Sequence, residues 1–389
     1  MRLGGPDRHG VAARHDLSGT PLRPASQAEK TRQGELFAEL CRIPSPSWEE
    51  AECGEHVTSE LRGMGLEVER DEAGNLLARV RGSSERTVLL CAHLDTVPPV
   101  APIEPVLVDD GWENANAGIL GADNKSAVAM ILTVARRATV EGSPVGLELL
   151  FTVAEEIGLL GAKRFDTSQL RADFGYVFDH ATPIGELVTA SPTLYRVEAE
   201  FHGKSAHAGL RPEEGRSAIL AAAHAAIAMP HGRIDHQTTA NIGYLHGGVE
   251  STNVVPERAR VFAEVRSVDA DTAEEVLAAM IDALHDGASH GECDVDVITE
   301  KQVVGYRVKS SSPAVTAAEA ALRAHGYEPK RIATGGASDA NVLEAAGIPT
   351  VNVANGTEHN HEPTERVSVA ALDSMLNVAF SLLDEAAVA

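Results

Sequence analysis

The stretch Arg86-Thr87-Val88-Leu89-Leu90-Cys91-Ala92-His93-Leu94-Asp95 joins a short apolar run to polar residues at its carboxyl end. An apolar run of this length, bounded by charged residues, predicts a strand that is buried on both faces. Such strands are typical of α/β folds, in which helices cover a largely buried sheet. His93 and Asp95 therefore follow a core strand at the edge where open α/β sheets bind ligands.

Other acidic and histidine residues occupy similar positions further along the chain. Each of them lies after a predicted strand or just before a predicted helix: Asp123, Glu155, Glu156, Asp179 and the cluster His359-Asn360-His361. Because the carboxyl ends of parallel strands meet at one edge, we expect these side chains to converge. Converging carboxylates repel one another, and divalent cations remove that cost. Mixed imidazole and carboxylate ligands favour zinc, with cobalt or manganese as alternatives, and paired metal ions form a known hydrolytic arrangement.

A change of pattern after Thr182-Pro183 predicts an inserted module. The strand–helix–strand–strand–helix–strand order is that of a ferredoxin-like unit, with its elements predicted at Leu194–Phe201, Gly215–Ala228, Thr239–Leu245, Ala259–Arg266, Ala273–His285 and Cys293–Thr299. Before the insertion, helices are predicted at Ala28–Leu40 and Trp48–Met64. We therefore predict a disordered tail over 1–27, a catalytic domain formed by 28–185 and 303–389, and an α+β lid over 186–302.

Composition narrows the class of partner. The formal net charge of −24 opposes binding to nucleic acid or to an anionic membrane. No apolar run reaches the ~20 residues of a membrane span, and the N-terminus lacks the apolar stretch of a secretory signal. The four cysteines include no Cys-x-x-Cys pair, which predicts reduced and mostly buried thiols in a cytoplasmic protein.

Four motifs in combination resemble a known family. They are His93-Leu94-Asp95-Thr96, Gly121-Ala122-Asp123-Asn124-Lys125, Ala154-Glu155-Glu156-Ile157-Gly158 and Asp179. They resemble the dinuclear-zinc metallopeptidases that include aminoacylase, carboxypeptidase G and peptidase T. The stretches 179–191 and 202–209 are most similar to the peptidase T, or tripeptide aminopeptidase, branch. The resemblance covers the chain from Ala28 onward and implies a mixed-sheet zinc-peptidase domain with an inserted ferredoxin-like lid, through which the protein would form a homodimer.

The resemblance also implies a set of ligands for two metal ions. His93 and Asp179 would bind one ion, Glu156 and His361 would bind the other, and Asp123 would bridge the two. His361 is preferred over His359 because Glu365 follows it by four residues, as in the His-x-x-x-Glu pattern of the family.

Five further residues match catalytic or substrate positions of the family. Glu155 would be the general base, and Asp95 would orient the ring of His93. His207 would stabilise the oxyanion, in several relatives across the dimer. Asn253 and Arg266 would hold a substrate carboxylate, which the planar guanidinium suits.

Two other stretches bear on the substrate pocket. Gly335-Gly336-Ala337-Ser338-Asp339 looks like the substrate-side loop of the family, where glycine allows close backbone approach. His180 stands where peptidase T relatives more often carry a small residue, and an imidazole there would narrow the pocket or add a metal ligand.

The metal-binding motifs leave the substrate open. An aminopeptidase acting on short peptides would require a free N-terminal amine, whereas a carboxypeptidase or an N-acyl amino-acid deacylase would not. A catalytically silent binding protein is a third alternative, against which the retention of Glu155 and of every candidate ligand argues. No Gly-x-Ser-x-Gly motif supports a serine hydrolase.

Overall fold

The computed structural model describes residues 23–389. Its helices are α1 (Gln27–Cys41), α2 (Ala51–Gly63), α3 (Ala122–Glu141), α4 (Leu160–Arg164), α5 (Ala218–Ala228), α6 (Ala270–His290), α7 (Pro313–Ala324), α8 (Asp339–Ala345) and α9 (Val369–Val388). Within residues 23–389, every helix is too short or too polar to cross a bilayer.

The strands of the described residues form three sheets. In chain order they are β1 (Val68–Arg70), β2 (Leu76–Val80), β3 (Thr87–His93), β4 (Pro105–Val108), β5 (Gly111–Asn114), β6 (Gly146–Thr152), β7 (Phe174–His180), β8 (Glu186–Ser191), β9 (Thr193–His202), β10 (Gly232–Arg233), β11 (Thr238–Gly247), β12 (Arg258–Ser267), β13 (Asp294–Val303), β14 (Tyr306–Arg307), β15 (Lys330–Ala333), β16 (Thr350–Ala354), β17 (Thr357–Glu358) and β18 (Arg366–Ser368).

The largest sheet forms the centre of what we call the body, residues 23–192 and 304–389. Its order is β1-β2-β6-β3-β7-β16-β8-β14, and β15 pairs with β8. The central strands β6, β3, β7 and β16 run parallel, and antiparallel strands flank them. β3 and β6 are almost wholly buried, as their apolar runs predict. The mixed α/β fold expected for this part of the chain is confirmed.

The second sheet forms what we call the module, residues 193–303. Its strands are all antiparallel in the order β10-β11-β12-β9-β13, and α5 and α6 cover one face with a core of their own. The ferredoxin-like order of elements is as predicted. The predicted lid boundary at residue 186 lies too early, because Glu186–Ser191 pairs with β15 and β16 in the body sheet.

The N-terminal part of the fold differs from its prediction in two places. Of the disordered tail predicted over 1–27, residues 1–22 lie outside the residues that the structure describes. Arg23, which also falls in the predicted tail, forms ion pairs with Glu29 and Glu141. Ser26 then caps α1 in a capping box with Glu29, so the helix begins at Gln27. α2 begins at Ala51, later than predicted, because Trp48 has a φ of 70°, which is not helical.

A third, small sheet has the order β17-β18-β5-β4 and was not predicted from the sequence. Its strands have two to four residues each, too short for a clear periodicity. It supports the loop between β17 and β18, which carries His361. The four cysteines are all free; three are buried and Cys293 is half-buried.

Candidate active site

Parallel strands bring the predicted metal-binding residues to one edge of the body sheet. His93 is the last residue of β3, and Asp179 lies one residue before the end of β7. Glu155 and Glu156 follow β6, which pairs in parallel with β3. Because these strands share a direction, their carboxyl ends meet at the same edge.

Asp123 lies at the centre of the cluster, between two histidines. Its Oδ1 is 3.2 Å from Nε2 of His93, and its Oδ2 is 3.4 Å from Nε2 of His361. The same His361 nitrogen lies 3.0 Å from Oε1 of Glu156. Asp179 completes the other side, with Oδ1 3.5 Å from Nε2 of His93. The structure thus brings all five predicted ligands together.

The charges of the cluster interact strongly because His93 and the three carboxylate ligands are at most 10% exposed, although His361 is half exposed. Burial, followed by the nearby Asp123, raises the pKa of Asp179 to about 8. Burial and then Asp179 raise the pKa of Glu155 well above its usual range. Hydrogen bonds to Asp123 and Glu156 raise the pKa of His361 to about 10. These shifts show acidic groups that lie close enough to repel one another, a cost that a bound divalent cation would remove.

Ligand atoms of this cluster are close enough to share a metal ion. Two overlapping groups, His93 with Glu155 and Asp179, and His93 with Asp123 and Glu156, have ligand atoms within 4.8 Å of one another. The Glu155 carboxylate accepts no hydrogen bond from the residues that the structure describes. It is therefore free to exchange a proton with a bound molecule.

Asp95 links the two halves of the cluster. Nδ1 of His93 lies 2.9 Å from the main-chain oxygen of Asp95 and 3.4 Å from its carboxylate. The carbonyl oxygen can only accept, so Nδ1 donates and Nε2 faces the other ligands. The Asp95 carboxylate accepts from the backbone N–H groups of Glu155, at 2.9 Å, and Glu156, at 3.1 Å. Asp95 thus holds the glutamate loop as well as the histidine.

Glu365 supports Asp123 at the start of α3. Its buried carboxylate accepts from the backbone N–H groups of Leu120, Gly121 and Asp123, each at 2.8–2.9 Å. Burial raises the pKa of Glu365 to about 7. The glutamate that guided the choice of His361 from the sequence therefore fixes the backbone of another predicted ligand.

The two histidines of the β17–β18 loop lie in different surroundings. His361 contacts Glu156 and Asp123, as described above. His359 is exposed, with Nδ1 3.7 Å from Glu362, and lines a separate surface cavity. Asn360, between them, donates to Oδ2 of Asp123 at 2.7 Å. His180 is half-buried and does not line the cavity over the metal-binding cluster.

A cavity of about 670 Å³ lies over the cluster, between body and module. Arg266 reaches it from β12, and Gly336 and Ala337 line it from the body. The Arg266 guanidinium is already engaged: it donates to both carboxylate oxygens of Glu264, at 2.8 and 3.2 Å, and to the main-chain oxygen of Gly335, at 3.2 Å. Arg196, which the sequence did not single out, also lines the cavity.

The two remaining predicted residues do not line the cavity within one chain. His207 and Asn253 lie on adjoining loops of the module, where Ala208 N donates to the main-chain oxygen of Asn253 at 2.9 Å. His207 pairs with Val254 in an isolated bridge, and both His207 and Asn253 are exposed. The single chain therefore brings Arg266 to the cluster but leaves His207 and Asn253 outside it.

Sequence models of two peptidase families match the chain. The peptidase dimerisation domain matches residues 190–292, and peptidase family M28 matches residues 75–184. The uncharacterized protein YqjE of Bacillus subtilis is 34% identical over 363 residues, which cover 91% of this chain and 98% of that protein. Peptidase T of Clostridium novyi is 24% identical over 370 residues, covering 84% and 90%.

Solved structures agree with these matches. The aminopeptidase PepT of Bacillus cereus is 35% identical with a TM-score of 0.86. A tripeptidase of Staphylococcus aureus is 31% identical with a TM-score of 0.89. Each alignment covers 92% of this chain and 99% of the other.

The fold and its acidic, histidine-containing cluster define a metal-dependent hydrolase of peptide bonds. With relatives of this identity aligned over nearly its whole described length, the chain belongs to the peptidase T-like branch of the M20 metallopeptidase family.

Proposed function

We propose that this protein is an aminopeptidase that removes the N-terminal residue of short peptides with two bound divalent metal ions, zinc above all. The observation that carries the proposal is the position of Asp123, whose two carboxylate oxygens each face a different histidine. A carboxylate in that position suits a bridge between two ions, one held also by His93 and Asp179 and the other by Glu156 and His361.

The donor set fits such ions. Two imidazoles and three carboxylates are ligands that zinc, cobalt and manganese accept. The raised pKa values of Asp179 and Glu155 indicate a cluster with too little positive charge of its own. Divalent cations would supply that charge and let the carboxylates ionise at neutral pH.

Glu155 is the residue we assign to proton transfer. When bound, the metal ions would activate a water molecule and polarise the scissile carbonyl. Glu155 lies beside the cluster with its carboxylate uncommitted, so it can take the proton from the attacking water and deliver it to the leaving amine. Asp95 keeps Glu155 in place through the backbone, and we assign it a positioning role.

The cavity suits a small charged substrate. Its volume is within the range typical of small-molecule sites, and a short peptide fits it. Apolar side chains of Leu159, Leu194 and Val303 line one wall. Arg266 can bind the peptide carboxylate, provided that this carboxylate displaces Glu264 from the guanidinium fork. We propose that Asn253, which lies beside the His207 loop and outside this cavity, contacts the substrate carboxylate in the cavity of a partner subunit.

The names of the relatives favour the aminopeptidase over its alternatives. The two solved structures described above, 35% and 31% identical to this chain, are an aminopeptidase and a tripeptidase. A carboxypeptidase or an N-acyl amino-acid deacylase would use the same metal cluster with a different cavity wall. A catalytically silent binding protein would need no uncommitted Glu155 in the cavity.

We also propose that the protein is a cytoplasmic homodimer joined through the module. The match to the peptidase dimerisation domain spans most of the module. Its helix α5 exposes Leu220, at 64%, and Ile227, at 82%, an apolar surface suited to a second copy. His207 would then reach the cavity of the partner subunit. The four free cysteines are consistent with a reducing compartment.

The decisive experiment compares a free tripeptide with its N-acetylated form on zinc-loaded protein, with products identified by mass. We expect release of the N-terminal residue from the free peptide alone. Cleavage of the acetylated peptide would support the deacylase, and release of the C-terminal residue would support the carboxypeptidase. No cleavage of either peptide would contradict a function on short peptides.

A further inference from the structure

The loop that carries Glu155 and Glu156 is held by two buried carboxylates. Three consecutive backbone N–H groups point towards them: Ala154 donates to Glu50 at 2.8 Å, and Glu155 and Glu156 donate to Asp95. The family resemblance pointed to Asp95 alone. Glu50 directly precedes α2, 104 residues away from Ala154 in sequence.

Glu50 occupies the N-cap position of α2, but its side chain does not cap the helix. Glu50 is 5% exposed, and its Oε1 accepts instead from the backbone N–H groups of Trp48, at 2.9 Å, and Ala154. A buried carboxylate is costly unless it is well hydrogen-bonded, so these two bonds fix the position of the group.

The residue that Glu50 holds has an unusual backbone conformation. Ala154 is fully buried and has a φ of 51°. This left-handed conformation costs a residue with a Cβ atom about 1 kcal/mol or more, whereas glycine adopts it freely. This turn directly precedes Glu155 and directs the chain away from β6. Without the Glu50 bond, Ala154 would lose a reason to keep this conformation, and both following glutamates would change direction.

The same segment of chain also supports Asp95. Ser47 donates to Oδ2 of Asp95 at 2.7 Å, and Thr96 N donates to the main-chain oxygen of Ser45 at 2.9 Å. The residues between Ile43 and α2 therefore contact the glutamate loop twice, directly through Glu50 and indirectly through Asp95.

We propose that Glu50 is a positioning residue of the reaction, which holds Ala154 in its left-handed conformation and thereby sets the direction of Glu155 and Glu156. The proposal rests on the proposed roles of those two glutamates. Glu50 touches neither substrate nor metal; it acts through the backbone of one residue.

The test uses the full chain with Glu50→Ala, Glu50→Asp and Glu50→Gln, and Glu49→Gln as the control at the exposed neighbouring position. We expect Glu50→Ala and Glu50→Asp to lower kcat on the tripeptide by about 100-fold with little change in KM, because a displacement near 1 Å has that effect. Glu50→Gln keeps an acceptor oxygen and should stay within about tenfold of wild type. Glu49→Gln should match wild type.

A rescue separates positioning from general damage to the fold. Glycine adopts positive φ without steric cost. We therefore expect the double variant Glu50→Ala/Ala154→Gly to have a kcat about tenfold higher than Glu50→Ala alone. Ala154→Gly by itself should change the kcat of the wild type little. Failure of Ala154→Gly to raise kcat would overturn the proposal, as would a Glu50→Asp variant with wild-type kcat. If Glu50→Ala does not fold, Glu50→Asp with and without Ala154→Gly provides the same comparison.

Measurements that need no substrate test the positioning role of Glu50 independently of the proposed peptidase activity. Hydrogen exchange followed by mass spectrometry should show faster exchange over residues 153–158 in Glu50→Ala, with the module unchanged. Retention of zinc during dialysis against a chelator should also fall, because Glu156 is a proposed ligand. Unchanged exchange and zinc retention would overturn the positioning role even if no peptide is ever cleaved.

Discussion

The body and the module contribute to the cavity in different ways. The body provides the whole acidic cluster, from the ends of parallel strands, the start of α3 and the β17–β18 loop, and buried carboxylates such as Asp95 and Glu365 fix its backbone. The module provides Arg266 from the middle of an antiparallel sheet, while His207 and Asn253 remain exposed and outside the cavity lining.

The body and the module differ in how far their functional groups are held in place before substrate binds. Groups that hold metal ions and transfer protons must be in place before substrate arrives, and a packed parallel sheet achieves this within one chain. Groups that recognise substrate are carried on a separate core, so their approach to the cluster can depend on closure or on a second subunit. Four substitutions test this contrast, described from the largest expected effect to the smallest.

Glu155→Ala should have the largest effect and should act on the body alone. We expect kcat on a short peptide to fall by about 100- to 10,000-fold, the range for loss of a general base. The metal content should stay at the wild-type value, because we assign Glu155 no ligand role. Steady-state kinetics and elemental analysis of the same sample measure both. Loss of metal together with activity would instead make Glu155 a ligand.

His207→Ala tests whether the module acts across two chains. We expect kcat to fall by about 100-fold, as for loss of an oxyanion donor. Mixing His207→Ala with Glu155→Ala should then restore about a quarter of the wild-type rate, because half of randomly assembled dimers contain one intact composite site. If the mixture regains no activity although its subunits exchange, His207 does not act across the dimer.

Arg266→Ala tests the substrate side of the cavity. We expect KM for a free tripeptide to rise about tenfold, the value of one charged hydrogen-bonded contact, with kcat little changed. The C-terminal amide of the same peptide should show no such rise. Arg260→Ala, on the same strand but outside the cavity lining, is the matched control. Equal effects on acid and amide would remove Arg266 from carboxylate recognition.

Glu29→Gln tests the stability of the body without touching the site. Glu29 forms a two-point ion pair with the buried Arg137, with distances of 2.6 and 2.7 Å, and its pKa is lowered to about 2 from 4.5; burial opposes the shift, and hydrogen bonds from Arg137 and Ser26 outweigh it. A lowered folded-state pKa stabilises the fold above pH 4.5, and that stability is lost as the pH falls towards 2.

We therefore expect Glu29→Gln to lower the free energy of unfolding by about 1–2 kcal/mol at pH 7, less than the pKa shift alone would give because water partly screens the pair. The difference from wild type should shrink between pH 4.5 and 2. Denaturant titrations at several pH values measure this, with Glu35→Gln, exposed on the same helix, as the control. A difference independent of pH would contradict the ion-pair contribution.

The sequence predicted those features that leave a local pattern. The apolar runs of β3 and β6 are visible because both faces of each strand are buried, and His93 and Glu155 follow them directly. The ferredoxin-like order of the module follows from the same alternation. Strand direction brings His93, Glu156 and Asp179 to one edge, whereas Asp123 comes from the start of α3 and His361 from the β17–β18 loop.

What the sequence could not predict depends on contacts between distant residues. In the sequence Glu50 is one more acidic residue, at the start of the helix predicted over Trp48–Met64, and only the fold brings it to Ala154. The role of Glu365 was hidden for the same reason, since its partners lie more than 240 residues away. Residues 186–191 were assigned to the lid because the sequence pattern changes after Thr182-Pro183, and only the pairing of β8 with β16 reveals that they belong to the body.

Asp95 contacts both halves of the acidic cluster, so the order of one half is coupled to the order of the other. One residue holds His93 through its carbonyl oxygen and the Glu156 backbone through its carboxylate, so the two halves of the cluster have this support in common. Ordering one half therefore lowers the entropy lost when the other half is ordered. Linkage is reciprocal, so each of the two proposed metal ions should bind more tightly once the other is present, and the protein should load them cooperatively.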